Sequence, residues 1–370
     1  MSRETLSPLR LLSSLGQSVW IDFLSRESIR GGHLQSLLDE DSVVGATSNP
    51  TIFQKAMAAS DAYEDQLREL DPELDVKDVF WALAEQDIRD ACDLFRPVWD
   101  AGEARDGYVS LEVDPRLAYD TLSTFREAMR IHEAVERPNL MVKIPATKPG
   151  LAAVEDVISK GRSINVTLIF SLGRYREVAE SYVRGLERLV AEGGDPRAVA
   201  SVASFFVSRI DTEADRRLEE VGGCDHLKGR LAVANARLAY ESYESVFTGP
   251  RWRYLASKGA TPQRVLWAST STKNPDYPDT MYVEELIGAD TVNTMPEETI
   301  TAYQDHGRPR ARLQSELEEA RELFDELARV GVDYEDLTET LEREGVEKFA
   351  DSFAELLGAL EVKRGSLLAA

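Results

Sequence analysis

The chain has 370 residues, 43% hydrophobic and 29% charged, which is the make-up of a globular protein with material for a large core. No apolar run approaches the ~18 residues that cross a membrane, and a formal net charge of −23, from 43 basic against 66 acidic residues, argues against a nucleic-acid surface. The two cysteines, Cys92 and Cys224, have no paired spacing, so neither a disulfide framework nor a thiolate metal site is indicated.

Met1-Ser2-Arg3-Glu4-Thr5 lacks the apolar core and cleavage site of a secretory signal, so a cytoplasmic protein is expected. Strand-type runs, rich in β-branched and apolar residues, follow at 18–23, 43–48, 108–113, 140–146, 164–170, 200–207, 264–270 and 291–295. Stretches of helical period lie between most of them, such as Tyr175, Val178, Tyr182, Leu186 and Leu189, closed by Gly193-Gly194 and Asp195-Pro196. Strands alternating with helices imply parallel pairing. Eight such units, with no Gly-x-Gly-x-x-Gly or P-loop pattern, point to an α/β fold of the closed (β/α)8 TIM-barrel type.

The segment from 50 to 107 is too long for one crossover. It carries a helix with apolar Phe80, Leu83, Ala84, Ile88, Ala91, Phe95 and Val98, preceded by another after Pro50. After the eighth strand, Leu313, Leu317, Ala320, Leu323, Phe324 and Leu327 mark one amphipathic helix, and Val346, Phe349, Phe353, Leu356 and Leu360 a second. Residues 1–370 are therefore expected to form a single barrel domain with 310–365 as a C-terminal helical appendage and 366–370 as a disordered tail.

A barrel of this kind keeps its chemistry at the C-terminal ends of its strands. Asp22 ends the first run, Thr47-Ser48-Asn49 the second, and Glu112 interrupts the third. The fourth holds Lys143 inside the apolar run Leu140-Met141-Val142-Lys143-Ile144. Burial disfavours an ammonium and leaves a free amine, which attacks carbonyls; the alternative is a lysine whose stem packs while its head reaches water. Asn165 and Thr167 share one face of the fifth strand, Ser204 and Arg209 belong to the sixth, and 269–273 close the seventh. Together these groups suit imine chemistry. The four histidines, His33, His132, His226 and His306, form no ligand-type pair, so no metal is expected.

The stretches Thr47-Ser48-Asn49-Pro50-Thr51-Ile52-Phe53, Val109-Ser110-Leu111-Glu112-Val113-Asp114, Val142-Lys143-Ile144-Pro145-Ala146-Thr147, Ile164-Asn165-Val166-Thr167-Leu168-Ile169-Phe170 and Ser204-Phe205-Phe206-Val207-Ser208-Arg209-Ile210 resemble the transaldolase family, in the family's order. The resemblance implies an enzyme of the pentose phosphate pathway. It would pass a dihydroxyacetone unit from sedoheptulose 7-phosphate to glyceraldehyde 3-phosphate, giving erythrose 4-phosphate and fructose 6-phosphate, with no metal or organic cofactor. It further implies Lys143 as the Schiff-base residue, Glu112 working through a water held by Thr167, and Asp22 as the acid/base beside the cleaved bond. Asn49, Asn165 and Ser204 would bind the dihydroxyacetone portion, Phe206 and Ser269 would line the substrate site, and Arg209 would bind phosphate.

The loop Ser269-Thr270-Ser271-Thr272-Lys273 departs from the family, which commonly offers a second arginine there; Lys273 is the expected substitute. The expected partners are sugar phosphates, with neither nucleic acid nor membrane, for a monomer or homodimer. Two alternatives stay open. A lyase of the fructose-6-phosphate aldolase kind would release free dihydroxyacetone, although such relatives generally lack the carboxylate of Glu112. A phosphosugar-binding barrel would bind without turnover.

Overall fold

The computed structural model describes residues 7–369. Eight strands close a parallel barrel in sequence order: β1 Gln17–Ile21, β2 Val43–Thr47, β3 Val109–Glu112, β4 Leu140–Pro145, β5 Ile164–Ile169, β6 Ser201–Phe206, β7 Arg264–Ala268 and β8 Thr291–Met295. Every residue of β4, β5 and β6 is buried, because the side chains alternate between the barrel interior and the layer under the surrounding helices. The expected strands lie within two residues of the observed ones at every boundary. Closure comes from β1 pairing with β8, from Gln17 opposite Thr291 to Ile21 opposite Met295.

Register decides which polar residues meet. Glu112 stands opposite Lys143, and Lys143 opposite Asn165, so three polar side chains of adjacent strands share one level. Farther along β5 the pairing with β6 slips between Val166 and Ile169. Leu168 sits at the slip with φ of 60°, in the left-handed region that a branched side chain seldom adopts. Such a bulge turns the strand end immediately after Thr167.

Three α-helices and a 3-10 turn, Asp61–Tyr63, fill the connection from β2 to β3: the α-helices are Pro50–Ala59, Glu64–Glu69 and the 26-residue Val76–Ala101. The fully buried Asp87 carboxylate of the last accepts from Arg26 Nε at 2.7 Å and from the Tyr63 hydroxyl at 2.8 Å, which ties these elements to the segment after β1. A paired, hydrogen-bonded buried charge of this kind fixes geometry more than it adds stability.

Helix Leu317–Arg329 follows the barrel; Leu313, expected within it, precedes it, where its backbone N–H donates to the Ile287 carbonyl. The chain then runs as one 36-residue helix, Tyr334–Ala369. It packs along Pro50–Ala59, with the Thr51 and Ser352 hydroxyls 2.9 Å apart and Phe353 edge-on to Phe80 at 5.1 Å. The expected disordered tail is corrected here: residues 366–369 continue this helix, and the Ser366 hydroxyl bonds to the Val362 carbonyl one turn back. Ala370 and the segment 1–5 used to argue against a secretory signal lie outside the described residues. Among the described residues no helix is long and apolar enough to cross a membrane.

Candidate active site

A cavity of about 260 Å³ opens at the C-terminal ends of the strands. Of the sequence-derived residues, Asp22, Asn49, Lys143, Thr167, Ser204, Phe206, Arg209, Ser269 and Lys273 line it. Glu112 and Asn165 do not. Both are buried, 5% and 0% exposed, Glu112 beside Lys143 and Asn165 bonded to Ser204, two residues that do line it.

At the floor, Lys143 Nζ donates to the Ser48 carbonyl at 3.0 Å and stands 3.5 Å from Glu112 Oε2. Lys143 is 5% exposed, so its head is enclosed at the cavity floor and does not extend to the outer surface as an ordinary strand-end lysine would. Glu112 is enclosed with neither carboxyl oxygen hydrogen-bonded among the described residues, and the buried Thr167 hydroxyl is likewise unpartnered. Burial raises the Glu112 carboxyl to about 7, and the opposing pull of Lys143 only partly offsets it. A carboxyl near neutrality both accepts and returns a proton.

On the opposite wall Asp22 leaves β1 with its N–H on the Met295 carbonyl. Its Oδ1 accepts from Thr47 Oγ1 at 2.7 Å, and Thr47 Oγ1 in turn lies 2.7 Å from Thr294 Oγ1. Burial raises the Asp22 carboxyl, opposed by the charge of Lys143 and by the Thr47 hydroxyl. The Ser204 hydroxyl donates to Asn165 Oδ1 at 2.7 Å, and Asn165 Nδ2 donates to Ser110 Oγ at 3.1 Å. Asn165 thereby orients Ser204 from below. Asn49 caps helix Pro50–Ala59, its Oδ1 accepting from the Ile52 N–H at 3.0 Å, while the residue still lines the cavity.

Arg209 is not on the sixth strand as expected. It lies in the first turn of helix Ser208–Val221, three residues after β6 ends. There its guanidinium carbon stands 5.0 Å from the centre of the Phe206 ring and 6.0 Å from that of Phe349. Burial lowers its pKa, opposed by the negative charges of Asp22 and Glu112. Ser269 turns the chain out of β7 at φ of 58°, held by Ser208 N–H to its carbonyl at 3.0 Å and by the paired hydroxyls at 2.9 Å. The seventh strand stops at Ala268, so Lys273 lies on an exposed loop, where its Nζ donates to Ser271 Oγ at 2.7 Å.

The sequence reading missed several lining residues. Thr294 is legible: like Thr47, already named at the end of the second strand, it is a polar position at a strand end, of the kind that singles out Asp22. Lys55, Glu298, Lys348 and Phe349 come from helices, where a strand-end search has no reach. The assembled geometry offers an enclosed lysine beside a carboxyl near neutrality, a second carboxyl across the cavity, hydroxyl donors between them, and cations at the rim.

Comparison with known proteins gives the same direction. A family model described as transaldolase/fructose-6-phosphate aldolase matches residues 19–360. The chain is similar to curated transaldolases of Frankia alni, at 51% identity over 97% of this chain and 98% of that protein, and of Acidothermus cellulolyticus, at 52% over 95% and 96%. A transaldolase of Thermobifida fusca matches at 50% identity over 95% of this chain and 96% of its own.

Proposed function

The chain belongs to the transaldolase/fructose-6-phosphate aldolase family and is a transferase, and on that premise we propose that it moves a dihydroxyacetone unit from sedoheptulose 7-phosphate to glyceraldehyde 3-phosphate through an imine on Lys143. The observation that carries this reading is the enclosed pair of Lys143 and Glu112, with the unpartnered Thr167 hydroxyl at the same floor. The Lys143 amine adds to the ketose carbonyl, and loss of water leaves an iminium. Glu112, through a water held by Thr167, takes the proton from the adding nitrogen and returns one to the departing hydroxyl.

Asp22 then accepts the proton of the hydroxyl beside the bond to be cleaved. The bond's electron pair flows into the iminium, the aldose phosphate leaves, and a neutral enamine stays on Lys143. Asn49 and Ser204, the latter oriented by Asn165 behind it, hold the three-carbon fragment until the acceptor aldehyde arrives, and the steps then run in reverse. Phe206 and Ser269 shape the substrate channel, and Arg209 with Lys273 receives the phosphate. No metal or organic cofactor takes part. We read residues 1–370 as one barrel domain with 310–365 appended, working in the cytoplasm in the pentose phosphate pathway.

Mixing the protein with fructose 6-phosphate, with and without erythrose 4-phosphate, tests the transfer. The account expects sedoheptulose 7-phosphate only when the acceptor is present and little free dihydroxyacetone without it. Catalytic release of dihydroxyacetone without acceptor would instead assign the lyase reaction.

A further inference from the structure

Four cations stand around the cavity rim: Lys55, Arg209, Lys273 and Lys348. Elsewhere arginines such as Arg216 and Arg251 are each held by two carboxylates. Among the described residues none of these four forms an ion pair, although Glu298 lines the same cavity. In a chain of net charge −23, an unpaired cluster of like charges is costly unless an anion from outside completes it. Their mutual repulsion is visible at Lys348, whose pKa is lowered first by Arg209, then by burial, Lys273 and Lys55.

Two of the four come from segments remote in sequence but tightly packed together, helix Pro50–Ala59 and helix Tyr334–Ala369. Gly345, Lys348 and Phe349 stand at i, i+3 and i+4 and so share one face of the latter. At Gly345 an added Cβ would lie 3.0 Å from Leu168 Cδ2 and 3.6 Å from Arg209 Nη1, so the glycine lets the helix come close over the end of β5. Phe349 then packs by the Arg209 guanidinium. That face of the helix is fixed at the mouth, and Lys348 is carried on it.

We propose that Lys348, delivered by the C-terminal helix, holds the distal phosphate of the sugar substrates together with Arg209 and Lys273, and that Lys55 closes the ring of charge. This rests on the transaldolase reading and extends it. Arg209 supplies planar, directional donors, and the lysines are point charges that together balance a phosphate dianion. Donor and acceptor both carry phosphate at the end remote from the reacting carbon, so one set of cations serves both half-reactions. Because the phosphate is held equally before and during the chemistry, its binding governs KM and leaves kcat nearly untouched.

In the full-length protein, Lys348→Ala is expected to raise KM for fructose 6-phosphate about tenfold, the effect of one charge-assisted contact at a partly exposed site, with kcat at saturation changing less than about twofold. Lys348→Arg restores most of the loss. Arg343→Ala, an exposed position of the same helix outside the cavity, changes neither parameter. Calorimetric titration with inorganic phosphate gives a readout independent of turnover: its affinity falls by a similar factor in Lys348→Ala and returns in Lys348→Arg. If that affinity behaves as expected while the wild-type protein shows no transfer, the phosphate site stands and the transaldolase reading falls. Equal phosphate affinity and equal KM in wild type and Lys348→Ala would overturn the proposal.

Discussion

Glu112 owes its raised pKa to where β3 places it. A carboxyl with no hydrogen bond to its oxygens among the described residues and a lysine 3.5 Å away is held near neutrality by burial. Because the folded-state value is raised from 4.5 to about 7, Glu112 favours the folded state below pH about 4.5, and this contribution is lost as pH rises through about 7. On the proposed mechanism the carboxylate that starts proton transfer appears over the same window, so imine formation should accelerate as pH rises through about 7. Glu112→Gln, which keeps size and removes the titration, is expected to slow imine formation by about 100-fold or more and to abolish that limb of the pH–rate profile. It should also be more stable relative to wild type at pH 8 than at pH 4. A variant that kept normal turnover and the same limb would remove Glu112 from the mechanism.

The elements divide into those the sequence declares and those it hides. All eight strands were readable, since a strand buried on both faces is a short apolar run bounded by turn residues, and polar residues at such ends stand out. Lys143, Asp22 and Thr167 were found that way. The C-terminal helix was legible only as an amphipathic pattern at 346–360, because the face that reaches the cavity presents Gly345, Lys348 and Phe349, a set that reads as ordinary helix surface and core. Which neighbour an amphipathic helix covers is decided by tertiary packing, and no period encodes it. The tail was misjudged for a related reason: residues 366–369 are held by continuation of the helix, to which a weakly patterned sequence gives no clue. Phe353 is the anchor of this packing, 1% exposed, edge-on to Phe80 and under the Arg116 guanidinium carbon at 5.0 Å. Phe353→Ala is expected to cost about 3–5 kcal/mol of stability in denaturant titration, with hydrogen exchange accelerating over residues 346–360 before the barrel strands. Uniform exchange with a cost under about 1 kcal/mol would show that the helix is held elsewhere.

At the scale of the whole molecule, a strongly acidic protein gathers a few cations without ion pairs among the described residues at one barrel mouth, and sets a nearly buried lysine in the same cavity. The barrel brings residues from all parts of the chain to that mouth, and the C-terminal helix extends its rim. The central claim is that Lys143 is the nucleophile, and borohydride reduction in the presence of fructose 6-phosphate, followed by mass mapping of the adduct, tests it most directly. The account predicts a single dihydroxyacetone-derived label on Lys143 and none in Lys143→Ala. A label on another lysine, or unchanged transfer by Lys143→Ala, would contradict it.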